Sequence, residues 1–197
     1  GDSALAARLR REIEGDVLFD PFSRGRYSTD ASIYQIEPIG IVLPKSEQDI
    51  VRVIQIATDQ GVAVLPRGGG SSQNGQAIGE AIVVDTTRYL DQVIAFNPEE
   101  ATVTVQPGIV LDTLNGFLNP HGVHFAVDPS TSSRATIGGM AGNNSSGARS
   151  IRYGLTADNV LAIDALVADG AKLQFADSTD HPLLQPLVEM AARESDE

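Results

Sequence analysis

Apolar residues recur at helical spacing in the first stretch of the chain. Leu5, Leu9 and Ile13 fall at i, i+4 and i+8 with Arg and Glu between them, which predicts an amphipathic helix over residues 3–14. A second such pattern follows Ser46, where Ile50, Val53, Ile54 and Ala57 form one face, Ser46 and Asp49 make a capping box, and Gly61 marks the end. A third covers 109–118, with Leu111, Leu114 and Leu118 inward, and a terminal helix is predicted over 181–192. Short apolar runs at 39–43, 62–65 and 81–84 predict buried strands, the last reaching Asp85. The segments 93–96 and 101–106, the latter alternating Thr102 and Thr104 with Val103 and Val105, predict a hairpin around Asn97-Pro98-Glu99-Glu100. The apolar run 160–168 turns at Asp169-Gly170 into 172–176, a second hairpin. Residues 20–34, with Pro21 and Gly25, read as irregular, and there is no internal repeat.

Strand, helix and strand over 39–65 make a βαβ unit with a right-handed crossover. The stretch Pro66-Arg67-Gly68-Gly69-Gly70-Ser71-Ser72-Gln73-Asn74-Gly75 therefore leaves the carboxyl end of a strand, where open α/β sheets bind ligands. Successive backbone N–H groups in such a loop form an anion-binding concavity, and the small residues let a phosphate approach. A ligand-free polar loop is the alternative. Two familiar phosphate motifs are excluded. Gln76 stands where a P-loop needs Lys, and Gln73 occupies the third glycine position of G-x-G-x-x-G.

Composition narrows the classes. In 197 residues, 42% hydrophobic and 20% charged, there is enough chain to bury a core. A net charge of −12 argues against nucleic-acid or anionic-membrane surfaces, so no nucleic-acid partner is expected. The absence of cysteine excludes thiol chemistry and iron–sulfur ligation within this chain and fits a reducing cytosol. No apolar run approaches membrane-spanning length and Gly1-Asp2-Ser3 shows no signal-peptide pattern. Cytoplasmic localisation, with peripheral association to the inner membrane as a variant, is the expectation.

The distribution of charge says more than its sum. Residues 66–79 hold no Asp or Glu but include Arg67, and residues 129–157 hold none but include Arg134, Arg149 and Arg152. An anion held between two Gly/Ser-rich windows accounts for the pattern; so does the ordinary scarcity of charge in small-residue loops. A short helix at 137–142 is expected, its free N–H groups near Thr136 and Ile137 favouring an anion. His121 and His124 suit either a metal or catalytic pair or ordinary loop positions, with no carboxylate nearby before Asp128. Arg24, Arg26, Tyr27 and Asp30 either face a ligand or belong to a solvated connection. A branched side chain at Gly69 or Gly70 is expected to shut out a ligand while sparing the fold.

Taken together, Pro38-x-x-Ile41-Val42-Leu43-Pro44, Pro66-Arg67-Gly68-Gly69-Gly70-Ser71-Ser72, Asp128-Pro129-Ser130, Thr136-Ile137-Gly138-Gly139 and Tyr153-Gly154-Leu155-Thr156 resemble the FAD-binding domain of the vanillyl-alcohol oxidase / p-cresol methylhydroxylase family. The likeness runs over 39–176 and leans to the D-lactate dehydrogenase and glycolate-oxidase subunit branch, including long forms with a C-terminal iron–sulfur region. It implies an α+β fold, a two-lobed FAD-binding PCMH-type domain with FAD between the lobes. The expected divisions are an N-terminal helix and connection (1–35), lobe 1 (36–92), lobe 2 (93–178) and a C-terminal helix (179–197). Carried over by position, the backbone of Gly68, Gly69, Gly70, Ser71 and Ser72 holds the pyrophosphate, beside Arg67, with Asn74 and Gly75 closing the loop. Pro129, Ser130, Thr131, Thr136, Ile137, Gly138, Gly139, Gly142, Asn143, Ser146 and Gly147 fall on positions lining the flavin and its ribityl chain. Ser71 stands where some relatives attach flavin through His, so non-covalent FAD is implied.

The family continues into a further FAD-contacting strand and a substrate-binding cap, neither of which is recognised before Glu197. The chain is therefore expected to be part of a larger flavoenzyme, with no catalytic or metal-binding residue of its own, and to bind FAD weakly and be catalytically silent when isolated. The implied activity is oxidation of a small 2-hydroxy acid (D-lactate, glycolate or a D-2-hydroxyglutarate-like substrate) by hydride transfer to FAD, with onward transfer to an unidentified electron acceptor. Alternatives are the flavin cradle of a sugar-alcohol or aldonolactone oxidase or of a cell-wall precursor reductase, a non-catalytic nucleotide-binding module, and an empty structural fold.

Overall fold

The computed structural model describes residues 3–176 and 184–194, which fall into two compact units, Gly1–Asn159 and Val160–Glu197. In the first unit, helix α1 (Ala4–Glu12) begins at Ser3, whose hydroxyl accepts from the Ala6 N–H. Strand β1 (Asp16–Leu18) and helix α2 (Pro21–Tyr27) come next, within a region whose 20–34 portion reads as irregular in sequence. The local chemistry of α2 is nonetheless clear. Asp20 caps it by accepting from the Ser23 N–H, and Pro21 opens its first turn. Strand β1 is too short for any period to show.

Strands β2 (Gly40–Leu43), β3 (Val64–Arg67) and β4 (Ile82–Asp85) complete a four-stranded sheet in the order β1-β2-β4-β3. Strands β2 and β3 run parallel to β4 on its two sides, and β1 is antiparallel to β2. The βαβ unit exists as expected, but β4 lies between its two strands. Val42, Ile82 and Val84 pack on one face with Leu9 of α1 and Val53, Ile56 and Ala57 of helix α3 (Glu47–Gln60). Ile41, Leu43 and Val83 pack on the other face with Tyr27, Leu65 and Tyr89. Burial on both faces is why β2 and β4 are continuous apolar runs rather than alternating ones.

The Ser46 hydroxyl accepts from the Asp49 N–H, as the capping pattern requires. The buried Asp49 carboxylate does not reach back to the cap residue; it accepts instead from the Lys45 and Glu14 N–H groups, each at 2.9 Å, tying the end of α1 to the start of α3.

Hairpin β5 (Val93–Asn97) and β6 (Thr102–Val105) packs Val93, Phe96, Val103 and Val105 against Ile109, Leu114 and Leu118 of the segment carrying helix α4 (Leu111–Leu118). A neighbouring cluster of Leu111, Val127, Ala135 and Met140 seats helix α5 (Ile137–Asn143), and α6 (Ser150–Tyr153) follows. In the second unit, β7 (Ala162–Leu166) and β8 (Lys172–Ala176) form the hairpin expected from Asp169-Gly170, and helix α7 spans Leu184–Glu194. Positions 181–183 of the predicted terminal helix lie outside the described residues. No described helix is long and apolar enough to cross a membrane.

Candidate functional site: a nest of unpaired backbone donors

The loop after β3 meets the second small-residue window directly. A Cβ on Gly68 would run into the Thr136 hydroxyl, and one on Gly69 into the Arg134 carbonyl. The two acid-free windows are therefore neighbours, in contact at 68–69 and 134–136. Gly69 is required by this backbone packing, so the expectation that a branched residue there would spare the fold does not hold. Gly70 has φ +63°, a left-handed conformation, and its α-carbon sits against the Arg67 guanidinium.

Among the described residues, nothing accepts from the N–H groups of Gly68, Gly69, Gly70, Ser71, Ser72 or Gln73. Gly68, Gly70, Ser71 and Ser72 are half-buried. Gly69 and Gln73 are exposed, and the run leaves its N–H groups available to a ligand that supplies acceptors. The following residues close on themselves: the Ser72 hydroxyl accepts from the Asn74 N–H at 3.2 Å and donates to Gln76 Oε1 at 2.6 Å.

The second window is arranged differently. Thr136 is buried and its hydroxyl caps α5 by accepting from the Gly139 N–H at 3.2 Å. The Ile137 and Gly138 N–H groups donate to the carbonyls of Ile109 and Pro107 at 2.9 and 2.8 Å. The first-turn donors expected to attract an anion are thus already used, and that expectation is corrected. Upstream, Pro129 O accepts from Ser132 N–H, and Thr131 O accepts from both Arg134 and Ala135 N–H, winding 129–135 into a tight turn. Gly138 packs on Pro107 and Gly147 on the Asp128 backbone, whereas nothing lies within 4 Å of a Cβ built at Gly142. Gly142, Asn143, Ser146 and Ser130 are exposed, Pro129, Thr131 and Gly139 half-buried, and Ile137 packs into the Leu111–Val127 cluster.

Charge is disposed in a way the sequence does not reveal. The Arg67 guanidinium donates to the carbonyls of Ala77 at 2.8 Å, Thr29 at 2.9 Å and Tyr27 at 3.5 Å, and lies 5.2 Å from the centre of the Tyr27 ring. Arg149 donates through its backbone N–H and its Nε–H to the two oxygens of Asp128, at 2.9 Å each. These bonds hold the Asp128 carboxyl below its ordinary value, the backbone one contributing most. Arg152 lies over Tyr153. Below the loop, Tyr27 donates to Asp85 at 2.6 Å; burial, then this bond, raises the Tyr27 phenol well above its ordinary value. His121 belongs to an aromatic cluster, 4.7 Å from the Phe96 ring and 5.7 Å from that of Phe117, and His124 contacts Tyr153 edge-on.

A family model described as "FAD binding domain" matches residues 38–175. The chain is 42% identical over 163 residues to D-2-hydroxyglutarate dehydrogenase of Haemophilus influenzae, a match covering 81% of this chain and 16% of that protein. It is 42% identical to the Escherichia coli D-2-hydroxyglutarate dehydrogenase (84% and 17% covered) and 31% identical to glycolate oxidase subunit GlcD of Bacillus subtilis (81% and 35%). The chain thus spans about a sixth of the length of the dehydrogenases it matches. Among solved structures, an alkyldihydroxyacetonephosphate synthase superposes with a TM-score of 0.80 at 24% identity, covering 92% of this chain and 36% of that one. The 6-hydroxy-D-nicotine oxidase of Arthrobacter nicotinovorans gives 0.73 at 22%, covering 84% and 36%. The α+β fold is shared with these two solved structures, and the chain belongs to the FAD binding domain family.

Proposed function

We propose that this chain is the FAD-binding portion of a flavin-dependent dehydrogenase that oxidises a small 2-hydroxy acid. The observation carrying the proposal is the run of N–H groups from Gly68 to Gln73 with no acceptor among the described residues. A pyrophosphate bridge offers the oxygens such a run lacks. The residues present therefore fit FAD. The substrate class follows from the relatives named above for D-2-hydroxyglutarate and glycolate, together with a D-lactate dehydrogenase of Kluyveromyces lactis that is 34% identical over 134 residues. All three compounds carry a hydroxyl on the carbon beside a carboxylate.

In this reading Gly68, Gly69, Gly70, Ser71 and Ser72 donate to the pyrophosphate, and Asn74 and Gly75 close the loop behind it. Arg67 shapes the loop, because its guanidinium is engaged with backbone carbonyls. The exposed stretch of Gly142, Asn143 and Ser146, with Thr131, Gly139 and Gly147 beside it, lines the flavin and its ribityl chain, while Thr136, Ile137 and Gly138 brace that stretch from beneath. When bound, FAD supplies the hydride acceptor; these residues supply binding and orientation, and none supplies an acid or base. Ser71 cannot take the histidine-linked form of the flavin, and the chain has no cysteine, so attachment is non-covalent. Lobe divisions at 36–92 and 93–178, a substrate-binding cap elsewhere in the protein, a separate electron acceptor and a cytoplasmic or peripheral membrane location belong to the same reading.

The test uses the full-length protein. Denaturation should release free FAD, and anaerobic D-2-hydroxyglutarate, D-lactate or glycolate should bleach the bound flavin absorbance. Bound flavin that none of the three reduces would refute the 2-hydroxy-acid assignment; absence of flavin after incubation with excess FAD would refute the cofactor assignment.

A further inference from the structure

The segment around residues 27–34 lies before the matched domain begins at 38, yet it touches the glycine loop repeatedly. Arg67, the last residue of β3, spans the gap between them by donating to the Thr29 and Tyr27 carbonyls on one side and to Ala77 on the other. The Ala31 N–H donates to Gly70 O at 3.1 Å, and the Ala77 N–H donates to Asp30 Oδ2 at 3.4 Å. A Cβ at Gly75 would meet the Tyr34 ring.

The segment is itself held firmly. Ser28 is buried and its hydroxyl donates to Gly25 O and accepts from Gln35 Nε2; the Ile36 N–H donates to Ser28 O; and Thr29 pairs with Gln35. Asp30 accepts from the Ser32 N–H at 2.8 Å. A loop with glycine at 68, 69 and 70 and no internal hydrogen bond from 68 to 73 has little of its own to fix its shape. Presenting successive N–H groups to one ligand needs that shape fixed beforehand.

We propose that residues 27–34 and the Arg67 side chain form a strap that preorganises the pyrophosphate loop, with Arg67 acting as a positioning residue through neutral carbonyls and not as a cation facing the phosphates. The inference rests on the FAD reading and adds to it a working part outside the family domain. It separates bridging from charge. Lysine keeps the charge at 67 but is a compact point donor that cannot reproduce a planar fork spanning carbonyls on two segments.

The experiment compares Arg67→Lys and Arg67→Met with the native full-length protein in three measurements: the FAD dissociation constant, the salt dependence of FAD binding, and amide hydrogen exchange of the apo form. The strap requires both variants to lose FAD affinity by about tenfold or more, the scale of one charge-assisted hydrogen bond. The Asn74 and Ala77 amides, which have acceptors, should exchange faster in both, those of β2 and β4 should not, and the salt dependence should stay as in the native protein. Native affinity in the Lys variant, or a reduced salt dependence confined to the Met variant, would identify Arg67 as a phosphate-facing charge and overturn the proposal. Unchanged affinity and exchange in both would overturn it as well. Should the position 67 variants fail to fold, Asp30→Ala removes the acceptor of the Ala77 N–H and that of the Ser32 N–H within the strap. It should weaken FAD and speed exchange of the Asn74 amide, and native values for both would again overturn the strap. If the native protein itself binds no FAD, the cofactor reading fails before the strap is reached.

Discussion

The two small-residue windows are alike in sequence, but their glycine stretches 68–73 and 137–139 differ in hydrogen bonding. Both are acid-free, rich in Gly and Ser, and supplied with arginine. In 68–73 no N–H group has an acceptor among the described residues, whereas at 137–139 each is taken by Ile109, Pro107 or Thr136. The arginines differ too: Arg67 serves carbonyls and Arg149 serves a carboxylate. Composition can say that a region is suited to close approach; only the accounting of donors says whether a ligand or the protein itself is what approaches.

The largest effect that would probe this difference is at the contact between the windows. Gly69→Val places branched carbon against the Arg134 carbonyl, and overpacking of this kind costs about 1–3 kcal/mol. The thermal midpoint should fall by several degrees at least, which calorimetry on the apo protein will read, before any question of FAD arises. A native midpoint would mean that the windows are not packed together.

Gly142→Ala should act in the opposite sense. The position lies in α5 with no atom within 4 Å of the added Cβ, so alanine should stabilise the helix by about 0.5–1 kcal/mol. If this stretch lines the flavin, the same change should weaken FAD binding. A more stable protein with poorer FAD retention is the expected pair of results, and unaltered FAD affinity would remove Gly142 from the site.

The smallest effect is on pH. Tyr27 has its folded-state pKa raised by burial and by Asp85, above an unfolded value of about 10. Its contribution to stability is fully present below pH about 10 and is lost as pH rises toward the folded value. Midpoints measured from neutral pH upward should decline beyond that point in the native protein and less in Tyr27→Phe. Parallel curves would deny the Tyr27–Asp85 bond beneath the loop.

Much of the framework was legible because each signal was local. The Ser46 cap and Gly61 bounded α3, the apolar runs gave β2 and β4, and Asp169-Gly170 gave the last hairpin. Helix α2 was readable from Asp20-Pro21 but was masked by the glycine and polar residues after it. The insertion of β4 between β2 and β3 was not readable, since pairing partners distant in sequence leave no periodic trace. Nor was the role of Arg67. An arginine beside a glycine loop suggests a phosphate ligand, and only the carbonyls of Tyr27, Thr29 and Ala77 show where its donors go. The free helix donors expected near Thr136 and Ile137 failed for a related reason, because the acceptors of the Ile137 and Gly138 N–H groups lie on the 107–109 segment.

The central claim is that the 68–73 donors, and not the start of α5, receive the pyrophosphate. Backbone amide spectra of the protein titrated with FAD, and with inorganic pyrophosphate as a minimal probe, address it directly. Large shifts and slowed exchange are expected at Gly68, Gly69, Gly70, Ser71 and Ser72 with both ligands, while Ile137, Gly138 and Gly139 keep the protection they already have. Shifts centred on 137–139 with 68–73 unmoved would contradict it.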